Sequence, residues 1–69
     1  MLTLHIKEYQ IVFFDEDNLI ANKQKFIDIA DMYSLKIDCG FNHVSAIGRP
    51  EQLFKLLHDL ARVYTLKLL

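Results

Sequence analysis

The chain predicts a single α+β domain with elements in the order β-α-β-β-α-β. Three observations carry that reading. Apolar and polar residues alternate at Leu2–Ile6, Tyr9–Phe13 and Leu35–Phe41, the spacing of half-buried strands. Two further stretches place apolar residues at helical spacing. The two glycines and the one proline fall between these segments, where the chain must turn.

Leu2, Leu4 and Ile6 alternate with Thr3, His5 and Lys7, after which the phase shifts to Tyr9, Ile11 and Phe13. Such a shift marks a bulge or a hairpin near Lys7-Glu8. Lys-Glu is poor turn chemistry, so one long bent strand over residues 2–14 is the preferred expectation. Its second half, Ile11-Val12-Phe13-Phe14, is apolar on both faces, as in a central strand.

Asp15-Glu16-Asp17-Asn18 then opens a helix, with acidic groups at its positive end and Asp17 or Asn18 as cap. Leu19, Phe26, Ile27, Ile29, Ala30 and Tyr33 form its stripe, opposite Gln24, Asp28 and Asp31. Leu35, Ile37 and Cys39 read as a strand with one wet face. Gly40-Phe41-Asn42-His43 reads as a hairpin turn, because Gly and Asn tolerate positive φ, and Val44–Ile47 returns as its partner. Gly48-Arg49-Pro50-Glu51 starts a second helix, with proline in the first turn. Its stripe is Leu53, Leu56, Leu57, Leu60, Ala61 and Tyr64. The helical period breaks near Val63, so Tyr64, Leu66 and Leu68 are expected as a short last strand. The competing expectation extends the second helix to the C-terminus.

This order is that of the ferredoxin-like split βαβ arrangement. It implies a four-stranded antiparallel sheet with both helices on one face. The stretch before the first helix, Phe14-Asp15-Glu16-Asp17-Asn18-Leu19, together with the second strand also resembles a ligand-binding ACT domain. That resemblance implies an effector site at the first strand-to-helix loop, on Asp15, Asp17 and Asn18. The loop lacks the glycine that such domains usually carry there.

At 69 residues the chain is one domain, residues 1–69. A core of this size rarely supplies more than about 3–5 kcal/mol. One cysteine, Cys39, allows no internal disulfide. Self-association or partner binding is the expected remedy, in a reducing, cytoplasmic setting. The initial Met1 and the apolar end read as a whole gene product, and no leader pattern is evident. A net charge of −1 argues against a nucleic-acid partner. The apolar runs are too short for a membrane span.

Chemistry is sparse. Asp15-Glu16-Asp17 could suggest a metal or carboxylate site, but oxygen-ligand metal sites need convergent ligands from more than one turn, so a solvated helix start is the plainer reading. Cys39 and His43 could suggest zinc or a nucleophile pair. No second ligand pair and no orienting third group accompany them. Gly48-Arg49-Pro50 could hold an anion at a helix N-terminus, but an ordinary strand-to-helix turn explains it as well. His5 and His58 read as surface residues. No phosphate loop, dinucleotide fingerprint or Ser-His-Asp set is present. No catalysis, cofactor or metal is therefore expected.

Spare apolar surface remains. Only one of the pairs Val12/Phe14 and Ile11/Phe13 can face the helices. The longer same-phase run of Tyr9, Ile11 and Phe13 assigns that pair to the core. Val12 and Phe14 then lie on the open face, with Met32, Leu56 and Val63 at the margins of their helical stripes. Contiguous apolar exposure of this kind marks an interaction site. The expectation is a non-enzymatic protein-binding module, an inhibitor or adaptor of a larger protein partner, that makes at least a homodimer through the open face. Small viral or mobile-element inhibitors have this size, an analogy of scale. The competing class is an ACT-like small-ligand regulatory domain.

Overall fold

The computed structural model describes residues 2–15 and 23–69. Two helices pack on a five-stranded mixed sheet. The elements are β1 (Leu2–Lys7), β2 (Gln10–Phe14), α1 (Lys23–Met32), β3 (Lys36–Cys39), β4 (His43–Ile47), α2 (Pro50–Ala61) and β5 (Leu66–Leu68). Across the sheet the order is β3-β4-β2-β1-β5. The α+β class matches the expectation, but the four-stranded antiparallel sheet does not. The fifth strand arises because residues 2–14 form a hairpin and not one bent strand.

The register explains the hairpin. Leu4 lies opposite Phe13 and Ile6 opposite Ile11. A two-residue loop at Glu8-Tyr9 thus puts even positions of β1 and odd positions of β2 on one face. The shift of apolar phase is what such a loop needs. The turn forms without glycine because Tyr9 itself adopts φ 63°, in the left-handed region. The Tyr9 carbonyl accepts the Gly48 N–H at 3.0 Å, tying the turn to the end of β4.

β2 and β3 are both antiparallel to β4 and therefore parallel to each other, with β4 between them. That is a split βαβ unit around α1. β5 pairs with β1 in parallel, so β1 occupies a position between β2 and the last strand. The last strand forms as expected, and α2 ends at Ala61 without running on to the C-terminus.

The core is one cluster: Leu2 and Leu4 of β1, Ile11 and Phe13 of β2, Val44 and Ala46 of β4, Phe26 and Ala30 of α1, Leu53, Leu56 and Leu60 of α2, and Leu35. Phe13 meets Phe26 edge to face, with ring centroids 5.3 Å apart. The acidic helix start expected at Glu16–Asn18, and Leu19 of the first stripe, lie outside the described residues. The end of α1 is clear. Leu35 N–H donates to the Ala30 carbonyl at 3.0 Å and Ser34 N–H to that of Asp31 at 3.2 Å, while Ser34 has φ 58°. This is a Schellman cap with serine in the position glycine usually takes. α2 begins at Pro50 after the extended Arg49, with Glu51 in its first turn.

The β3–β4 hairpin forms where expected, for a different reason. No glycine has positive φ, and neither Phe41 nor Asn42 does. A Cβ on Gly40 would lie 2.0 Å from Cε1 of His43. Gly40 thus leaves room for the His43 ring.

Candidate functional site

Strand register fixes which side chains share the open face. One row across the sheet reads Lys36, Ile47, Gln10, Lys7. The next reads Asp38, Ser45, Val12, His5. The third reads His43, Phe14, Thr3, Lys67. Val12 and Phe14 therefore lie on this face and Ile11 and Phe13 in the core. Both Val12 and Phe14 are half-buried by their neighbours across the strands.

The face is more polar than the β2 sequence alone suggests. Val12, Phe14 and Ile47 are its apolar members. Three lysines stand against the single Asp38, a formal +2 with the histidines neutral. Since the whole chain carries −1, the remainder carries −3. The near-neutral total conceals a cationic face.

The remaining expected interface residues do not join this face. Met32, 74% exposed, sits at the end of α1, and Val63, 61% exposed, follows α2. Leu56 belongs to no surface. It is fully buried, because it continues the Leu53/Leu60 stripe that meets the sheet. Val63 borders a small, shallow apolar hollow with Phe26, Ile29, Leu60 and Tyr64. Beside it the Tyr33 hydroxyl donates to Asp59 Oδ2 at 2.5 Å. That hydrogen bond, with some desolvation and the carboxylate's charge, holds the Tyr33 pKa above its ordinary value.

Two large exposed residues are not among the expected interface residues. Phe41, 91% exposed, stands at the tip of the β3–β4 turn, and Phe54, 59% exposed, on α2. The signal for Phe54 was present, since it is a large apolar residue off the α2 stripe; Phe41 instead continues the alternation of Leu35, Ile37 and Cys39 into the turn. The turn carrying Phe41 is held firmly. Asp15 N–H donates to the Asn42 carbonyl at 2.8 Å, and Lys23 Nζ to that of Gly40 at 3.2 Å.

Asp15 is buried at the end of β2. Asp17 and Asn18, the other residues of the ACT-like effector site, lie outside the described residues. Cys39 is opposite Val44, on the helix side of the sheet, while His43 is on the open side. The two cannot meet one ion. Among the described residues no three His, Cys, Asp or Glu side chains converge as metal ligands, and no helix is long and apolar enough to cross a membrane. The chain matches no protein-family model, no curated protein and no solved structure.

Proposed function

We propose that this chain is a small non-enzymatic protein-binding module, an inhibitor or adaptor that blocks or bridges a larger protein. The observation that carries the proposal is the polarised open sheet face, cationic at its perimeter and apolar at Val12, Phe14 and Ile47. An acidic protein surface complements that face, and complementary charge speeds encounter and suppresses wrong partners. Two copies stacked face to face would recover the apolar area of Val12 and Phe14. They would also set like charge against like, so a different protein is the better occupant.

Capture from native lysate by the tagged chain tests this, alongside sedimentation of the chain alone and a metabolite thermal-shift screen. The expected result is a protein captured by the wild type and lost on joint Lys7→Glu and Lys36→Glu substitution, with the melting temperature preserved. A metabolite that raises the melting temperature strongly, with no captured protein, would overturn the proposal in favour of a small-ligand regulatory domain.

A further inference from the structure

We infer that the outer edge of β5 accepts an extended strand from a protein partner, with an acidic residue set opposite Lys67 between two apolar ones. The inference rests on the protein-binding reading above and specifies the partner's chemistry.

The hydrogen bonds of β5 define the edge. Leu2 N–H donates to the Thr65 carbonyl and Leu69 N–H to the Leu4 carbonyl, both at 2.9 Å. Residues 65 and 69, and 67 between them, therefore direct their backbone groups toward β1. By the alternation of a strand, Leu66 and Leu68 direct their N–H and C=O groups outward. β5 is the last strand of the sheet. An antiparallel strand would meet two complete donor–acceptor pairs there, the arrangement used in strand addition.

The side chains around the edge are apolar on one face. Leu66 and Leu68 pair with Leu2 and Leu4, so they point to the helix side, and Leu68 is 62% exposed. On α2, the Asp59 flank is turned toward α1, where it meets Tyr33. Leu57, half-buried, lies on the opposite flank, and Phe54, 59% exposed, lies beyond it toward solvent. Ile6, also exposed, continues the same side of β1 past Leu4. An incoming strand would thus lay its apolar side chains beside Leu66 and Leu68.

Lys67 decides the identity of that strand. Its side chain lies on the open face, opposite Thr3. A second copy could fill both outward pairs only with Leu66 of one copy opposite Leu68 of the other. That register puts the two Lys67 side chains directly against each other, at the close spacing of a non-hydrogen-bonded pair. Like charges there are unfavourable, whereas a carboxylate fits. The edge therefore selects an apolar–acidic–apolar segment over a second copy of β5.

The test titrates the isotope-labelled full chain with a blocked heptapeptide centred on Val-Glu-Val. Amide shifts and amide exchange are followed by NMR. The largest shifts are expected at Leu66 and Leu68, with slowed exchange of the Leu66 and Leu68 amides. A Val-Lys-Val peptide should bind about two- to five-fold more weakly, and Lys67→Glu should invert the preference. Shifts centred on Ile37 and Cys39 of the other edge, no response, an unchanged preference, or self-pairing of the wild type through β5 would each overturn the inference. Lysate capture separates this failure from that of the wider reading. A partner still held by Lys67→Glu leaves the chain a protein-binding module without strand addition at β5.

Discussion

The β1–β2 hairpin turns through Glu8 and Tyr9, and Tyr9 takes φ 63° with no glycine present. The β3–β4 hairpin turns beside Gly40, yet no residue in it has positive φ. Glycine is usually read as conformational freedom. Here the strained backbone falls on a tyrosine, and the glycines serve as space. Gly40 makes room for the His43 ring, and Gly48 does the same for Leu35, whose Cδ2 would lie 2.3 Å from an added Cβ. The difference teaches that a turn is located by strand register, while its glycine can answer to a neighbour far away in sequence.

Gly48→Ala should break this arrangement most severely. Leu35 is a buried core residue, and a methyl group forced against it requires repacking that typically costs about 1–3 kcal/mol. A domain of this size would lose roughly 4–8 °C of melting temperature per kcal/mol. Thermal and urea unfolding read the effect. A loss below about 0.5 kcal/mol would mean that Leu35 moves aside freely, against its close packing. The Gly48 N–H, which supports the Tyr9 turn, is retained in the variant, so its amide exchange reports whether that turn survives.

The same comparison shows how far the sequence could be read. The helical stripes of Phe26/Ala30 and Leu53/Leu56/Leu60, the returning strand Val44–Ile47 and the short last strand were legible, because burial imposes a period on each. The assignment of Ile11 and Phe13 to the core followed from the same logic. The first hairpin was misread because Glu8-Tyr9 carries no turn residue. The phase shift was visible, but choosing between a bulge and a turn required the tertiary support that Gly48 lends to Tyr9. Leu56 was placed at a stripe margin where geometry puts it in the core. The charge polarity of the open face was hidden, since Lys7, Lys36 and Lys67 come from three strands that sequence order alone does not place side by side.

Tyr9→Gly sharpens the comparison from the other side. A non-glycine residue in the left-handed region costs on the order of 1–3 kcal/mol. Replacing it with glycine removes that cost but adds unfolded-state entropy of about 0.4–1 kcal/mol. Because Tyr9 is largely exposed, little packing is lost. The net expectation is a gain of roughly 0.5 kcal/mol, seen as a higher urea midpoint with unchanged slope. A clear loss would show that the Tyr9 side chain contributes contacts outweighing its backbone strain.

Gly40→Ala separates the two roles of glycine most cleanly. The obstructing atoms belong to the His43 ring, whose residue is exposed on the open face. The ring can rotate away, so the cost should stay below about 1 kcal/mol, in the range of a rotamer change. The decisive measurement is a double-mutant cycle with His43→Ala. If Gly40 serves as space, removing the ring removes the clash, and Gly40→Ala becomes nearly neutral in that background. If Gly40 instead served conformation, the alanine would cost as much without the ring as with it, and the two substitutions would add. The backbone favours coupling, because Gly40 has no positive φ to lose and its N–H keeps its 2.8 Å bond to the His43 carbonyl whichever side chain stands at either position.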